Sequence, residues 1–89
     1  MAEHTDTTVR VTVRLFAGAR AAAGTSEAVL DVTGGVQDVL DALVRDHPGV
    51  ACVLPACSYL LDGVAARPGQ DLGATGPLTL DVLPPFSGG

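Results

Sequence analysis

The sequence predicts one α+β domain, with a mixed sheet of four or five strands and one main helix packed on one face. Apolar and polar residues alternate near both ends of the chain, at 8–16 and 78–83, which is the period of a strand with one buried face. A helical pattern lies between them. A chain of 89 residues is long enough for one domain with a small core.

The first third of the chain predicts a hairpin. The first strand is expected from Thr8 to Phe16. The alanine-rich segment 17–25 predicts a short helical turn that ends at Gly24, because glycine readily adopts the left-handed conformation of a helix C-cap. A second strand is expected over 26–33, and it would pair with the first.

The main helix is predicted from Val36 to Arg45. Its apolar residues follow the spacing i, i+3, i+4, i+7, i+8 and form one stripe: Val36, Val39, Leu40, Leu43 and Val44. Asp38 lies in the first turn, where the helix dipole favours an anion. We expect His47-Pro48-Gly49 to end the helix.

The rest of the chain predicts three more strands. After an apolar segment at 50–57, which reads as a helical turn or covered loop, short strands are expected at 58–61 and 64–66 around the turn dipeptide Asp62-Gly63. A final strand follows at 78–83. A crossover through the helix would let this strand lie parallel beside the first, which is the β-grasp arrangement. The opposite sheet face would be half exposed and available for docking; its residues are Arg10, Thr12, Arg14, Phe16, Thr79 and Asp81.

Composition and charge restrict the classes of partner. The net charge is −5, all five basic residues are arginines, and there are three aromatic residues. These features argue against nucleic-acid binding and favour a protein partner with a positive docking surface. Residues 1–7 are expected to be a disordered lead-in. Neither a signal peptide nor a membrane span is expected, so the interpretation is a cytoplasmic protein without membrane contact.

The two cysteines do not predict a metal site. His47, Cys52 and Cys57 follow the spacing H-x4-C-x4-C, but a closed zinc site needs four ligands. The favoured interpretation is two reduced thiols that pack as small apolar groups. A reactive thiol and an internal disulfide remain open.

The C-terminal tail carries the strongest functional signal. Pro84 and Pro85 follow the last strand directly, so they end its hydrogen-bond ladder and favour an extended exit from the sheet. Gly88 and Gly89 lack a Cβ and could pass through a narrow channel. The hypothesis is that the carboxylate of Gly89 is the working group, and that the domain presents it.

The chain resembles the ubiquitin-like sulfur carriers of the MoaD/ThiS type, and most closely the small subunit of molybdopterin synthase. The resemblance covers about Val9 to the end of the chain. The residues that carry it are Leu15-Phe16-Ala17 with Arg20 and Gly24, the helix over 36–45, and the ending Pro84-Pro85-Phe86-Ser87-Gly88-Gly89. The proline pair followed by a diglycine, on a β-grasp pattern of this size, is the most specific of these features.

The resemblance implies a mechanism in which the chain is not an enzyme by itself. In the family, an E1-like adenylating enzyme uses ATP to activate the terminal glycine, here Gly89, which then carries sulfur covalently as a thiocarboxylate without any stably bound cofactor. The large subunit of molybdopterin synthase receives the tail in a heterotetramer. The resemblance assigns threading to Gly88 and Ser87, and partner binding to Phe86, Pro85, Pro84, Phe16 and Arg14.

Other interpretations remain open. The same chemistry could serve cysteine, thiamine thiazole or secondary-metabolite synthesis, and a β-grasp domain of this size could also be a protein modifier or an interaction module. The tail could be a frayed terminus without a role. Phe86 could fold back under the sheet as a core residue, and Arg20 could be an ordinary solvated arginine.

Overall fold

The computed structural model describes residues 8–73 and 76–85. The elements, in chain order, are β1 (Val9–Leu15), α1 (Ala17–Ala23), β2 (Glu27–Val32), α2 (Val36–Asp46), two 3-10 turns (Pro48–Cys52 and Leu54–Ala56), β3 (Ser58–Leu61), β4 (Val64–Ala66) and β5 (Leu78–Leu83). The bounds of the strands and of the main helix agree with the predicted ones to within one residue. The predicted lead-in at 1–7 lies outside the described residues.

The five strands form one mixed sheet in the order β2-β1-β5-β3-β4. β1 and β5 are parallel, with Val13 opposite Leu80, whereas the other neighbouring pairs are antiparallel. The connection from β1 to β5 includes α2, and a parallel pair requires a crossover of this kind. The predicted β-grasp arrangement is therefore confirmed.

The core lies between one face of the sheet and α2. Side chains at alternate positions of β1 and β5 and on one side of α2 form this core. Those among them with no exposed surface are Val11, Val13, Leu80, Val82, Val36, Val39 and Leu43. The buried stripe of α2 differs from the predicted one at one edge. Ala42 is buried, whereas Val44 is only half buried. The helix therefore packs with its short alanine side chain closer to the sheet than the larger valine.

The start of α2 is closed by a neighbouring loop. The backbone N–H of Gly35, the residue before α2, donates to the Asp38 carboxylate at 2.8 Å, so Asp38 reaches back and satisfies the N–H that precedes the helix. The N–H of Val36 donates to the carbonyl of Gln70 at 2.9 Å. Leu72, two residues after Gln70, is 5% exposed. Its buried side chain therefore anchors this loop to the core.

The β3–β4 turn is tied to the last strand. Asp62 and Gly63 both have positive φ values, 49° and 83°, as a two-residue hairpin of the I′ type requires. The Asp62 carboxylate accepts the backbone N–H of Thr79 at 2.8 Å. The turn therefore holds the beginning of β5 against β3. In the part of the chain that the structure describes, we find no helix of the length and apolarity needed to span a bilayer.

The contact between α1 and the first 3-10 turn depends on Gly49. A Cβ built at Gly49 would lie 2.6 Å from the carbonyl oxygen of Ala22, which is backbone and cannot move independently. We expect Gly49→Ala to lower the free energy of unfolding by about 1–3 kcal/mol, the usual cost of overpacking. Urea denaturation, followed by circular dichroism, measures this change.

Gly18→Ala is the matched control, because Gly18 lies in α1 with open space around it. Alanine favours a helix over glycine, so this variant should gain about 0.5–1 kcal/mol. Equal midpoints for the two variants would contradict the close approach at Gly49.

Candidate functional site

The tail leaves the sheet between β1 and β3. Leu83, the last residue of β5, lies opposite Ser58 of β3. On the other side, the N–H of Phe16 donates to the carbonyl of Val82 at 3.4 Å. Pro84 is half buried and Pro85 is exposed. Because neither proline has an N–H to donate, the sheet pairing ends here.

Four of the predicted site residues lie beyond this exit. Phe86, Ser87, Gly88 and Gly89 are outside the described residues, so their assigned roles stay predictions. The alternative position for Phe86, under the sheet, is likewise untested. The structure does establish where β5 ends, which is next to Phe16, the residue that follows β1.

Arg14 and Asp81 form a two-bond ion pair across the parallel strands. Arg14 Nε donates to Asp81 Oδ1 at 2.7 Å, and Arg14 Nη2 donates to Asp81 Oδ2 at 2.9 Å. The register places the two residues directly opposite each other. The hydrogen bond to Asp81, and next its negative charge, raise the pKa of Arg14. Asp81 is only 8% exposed, whereas about half of the Arg14 side chain is exposed.

Phe16 lies beside this pair. It follows β1 directly and precedes the first residue of α1. The guanidinium carbon of Arg14 is 5.7 Å from the centre of the Phe16 ring, within the range of a cation–π contact. Phe16 is 37% exposed. The structure thus brings the predicted partner-binding residues Arg14 and Phe16 together at the tail exit, although nothing here tests their role in binding.

The rest of the open sheet face is more polar. Arg10 pairs with Asp31 near the opposite end of β1, with Nε 3.1 Å from Oδ1, and this hydrogen bond and the charge of Asp31 raise the pKa of Arg10. Next to the Arg14–Asp81 pair lies a shallow depression of about 530 Å³. Its lining residues are Thr12, Arg14, Glu27, Asp62, Gly63, Thr79 and Asp81. Three carboxylates and one guanidinium give this depression a negative character.

A second depression, of about 660 Å³, lies on the helix side, between α2, the second 3-10 turn and the β3–β4 hairpin. Cys57 lines it, donates its thiol hydrogen to the carbonyl of Val53 at 3.2 Å, and has a pKa raised by burial. Cys57 and Cys52 are both free thiols. Among the described residues there is no cluster of three or more side chains suited to hold a metal ion.

Sequence reasoning missed two features of the site. It placed Arg14 and Asp81 on one face but did not pair them, although opposite charges at matching positions of parallel strands were an available signal. It also missed the helix-side depression. The elements that line this depression are adjacent in space only after the β3–β4 hairpin forms, so no short stretch of sequence encodes it.

Comparison with known sequences gives one informative relative. The chain is 26% identical, over 83 residues, to the molybdopterin synthase sulfur carrier subunit of Chlamydomonas reinhardtii; the match covers 91% of this chain and 100% of the relative. No protein-family model matches the chain.

Solved structures give closer matches. Small archaeal modifier protein 1 of Haloferax volcanii is 34% identical, with a TM-score of 0.77, over 90% of this chain and 99% of that one. The protein of the same name from Methanosarcina acetivorans is 30% identical, with a TM-score of 0.78, over 92% and 98%. One chain in a complex of subunits 1 and 2 of the molybdopterin-converting factor of Helicobacter pylori matches in fold, with 20% identity and a TM-score of 0.62. The match covers 90% of this chain and 99% of that one.

These similarities extend over nearly the whole chain, and they agree with the β-grasp topology. The chain belongs to the ubiquitin-like β-grasp family that includes small archaeal modifier protein 1 and the sulfur carriers of the MoaD/ThiS type.

Proposed function

We propose that the chain is the sulfur-donating small subunit of a molybdopterin synthase. Its Gly89 carboxylate is adenylated, converted to a thiocarboxylate, and delivered into the large subunit, which contains the catalytic residues. The observation that carries this proposal is the tail exit. A strand held on both sides ends at Pro84-Pro85, directly beside the exposed Phe16, so one surface can hold a partner while the tail enters it.

The chemistry explains why the chain needs an activating enzyme. A carboxylate is a poor electrophile, so an oxygen of Gly89 first attacks the α-phosphorus of ATP and releases pyrophosphate. A sulfide-equivalent nucleophile then attacks the acyl-adenylate and releases AMP. The resulting thiocarboxylate is largely ionised at neutral pH and is a soft nucleophile, for the same reason that a thiolate reacts faster than a thiol.

Support for the molybdopterin branch comes from two relatives. The Chlamydomonas relative is a molybdopterin synthase sulfur carrier subunit. The Helicobacter protein of the same fold forms a complex of subunits 1 and 2 of the molybdopterin-converting factor. A partner of that kind would complete the site for this chain, because a tail that ends in a carboxylate supplies a reacting group without an enclosed pocket.

A second candidate function is protein modification, which the similarity to small archaeal modifier protein 1 favours. A lysine amine of a target protein would then attack the same acyl-adenylate, form an isopeptide bond with Gly89 and release AMP. All five basic residues of this chain are arginines, so a second copy offers no side-chain amine as acceptor. The acceptor lysines would therefore belong to other proteins.

Reconstitution separates the two functions. We incubate the full chain with the adenylating enzyme of its host, ATP and a sulfur donor, and measure the intact mass. A sulfur carrier should gain the mass difference between one sulfur and one oxygen atom, located at Gly89. Covalent attachment to lysines of added host proteins, without this gain, would favour the modifier.

Deletion of Gly89 should abolish the mass gain. We expect the thermal midpoint to stay nearly unchanged, because Gly89 lies beyond the last strand and the two prolines that end its pairing. Differential scanning calorimetry of the full chain and the shortened chain checks this. A large fall in the midpoint would show that the tail supports the fold and would contradict its role as a free arm.

Phe16→Ala should weaken binding of the partner. An exposed aromatic residue at the tail exit is a candidate hot spot, so we expect affinity for the adenylating enzyme to fall about tenfold. Val29→Ala is the matched control, because Val29 is 56% exposed on the same sheet face but lies in the edge strand β2. Isothermal titration calorimetry measures both variants. An equal effect in the two would place docking elsewhere.

A further inference from the structure

Asp81 is the one charged residue among those described that is buried. Its place in β5 is on the open face of the sheet, where a threonine or serine would suffice for solubility. A buried carboxylate is costly unless it is paired and hydrogen bonded, and here both oxygens accept from Arg14. The pair therefore fixes both side chains two residues before the end of β5.

This pairing leaves part of the Arg14 guanidinium available. Arginine carries five N–H donors in a planar fork, and Asp81 takes two of them, through Nε and Nη2. Three N–H groups remain, on a side chain that is half exposed. The Phe16 ring flanks the guanidinium. Together they present an apolar ring beside a set of oriented donors.

The charges around Arg14 determine which groups of a partner its free N–H donors can bind. Glu27 lies opposite Arg14 on β2, and the Asp62 carboxylate lines the same depression. With Asp81 they give three negative charges to one positive charge, so a partner carboxylate would be repelled. A neutral amide carbonyl of the partner can accept a hydrogen bond from Arg14, and a basic side chain of the partner can form an ion pair with Glu27.

We propose that Asp81 is a positioning residue for docking, which acts through Arg14. It holds the guanidinium so that the free N–H groups bind a carbonyl oxygen of the adenylating enzyme. An apolar side chain of that enzyme covers Phe16, and a basic one reaches Glu27. This inference rests on the proposed function, because it names the partner that activates Gly89.

The chain contains a matched control for this pair. Arg10 and Asp31 form the same type of ion pair on the same face, but both side chains are exposed, at 65% and 51%. Their bonds are longer, at 3.1 and 3.4 Å. This pair joins β1 to the edge strand β2 and not to the strand that carries the tail. Exposed ion pairs of this kind contribute little to stability. Because this pair also lies near the opposite end of β1 from the tail exit, its removal should leave docking unchanged.

The test is the steady-state rate of pyrophosphate release by the host adenylating enzyme, with the full chain as the varied substrate. We expect Asp81→Asn and Arg14→Gln each to raise KM about tenfold, as expected for the loss of one charge-assisted hydrogen bond, with kcat unchanged. The double variant should show no further increase, because the two residues act as one unit. Asp31→Asn should keep the KM of the unchanged chain. Asp81→Glu, which keeps the carboxylate, should raise KM less than Asp81→Asn does.

A nuclear magnetic resonance measurement tests the positioning step alone. The Arg14 Nε–H signal should be protected from exchange in the unchanged chain and lose that protection in Asp81→Asn. An unprotected signal in the unchanged chain would overturn the inference.

The kinetic outcomes separate the two levels of the account. If the unchanged chain is adenylated but Asp81→Asn alters only the thermal midpoint and not KM, Asp81 is merely structural and this inference is wrong. If the unchanged chain supports no pyrophosphate release, the proposed function is wrong, and the assignment of the adenylating enzyme as partner fails with it.

Discussion

The parallel pairing of β1 with β5 is the contact on which the rest of the structure depends. It brings two strands side by side in the interior of the sheet, where their alternate apolar residues are buried against α2. A parallel pair cannot be closed by a tight turn, so the intervening chain must cross over, and α2 is the element that does so. The position of the tail follows, because β5 is both the central strand and the last one.

The same pairing assembles the candidate site. In register with β1, β5 brings Asp81 opposite Arg14, and the carbonyl of Val82 accepts the N–H of Phe16. One strand therefore carries the tail, orients a charged side chain of its neighbour, and holds Phe16, the residue that precedes α1. Loss of the register would displace the tail exit and the proposed docking residues, Arg14 and Phe16, together. This connection makes a two-part function, docking and tail insertion, physically reasonable for so small a domain.

The periodic elements of this fold could be predicted from the sequence, whereas its long-range contacts could not. Alternation in β1 and β5 and the stripe of α2 depend on burial of one face, which neighbouring residues reveal by themselves. Burial of Ala42 in place of Val44 depended on the angle at which α2 meets the sheet. The Arg14–Asp81 pair required the parallel register, which links residues 67 positions apart.

The central claim is that a partner docks on the open sheet face beside the tail exit. The most direct measurement is a titration of the isotope-labelled full chain with the host adenylating enzyme, followed by backbone amide chemical shifts. The account predicts the largest changes at Arg14, Phe16 and Asp81 to Leu83, with α2 unaffected. Changes centred on Gln37, Asp41 and Val44, around the helix-side depression, with the open face unchanged, would contradict it.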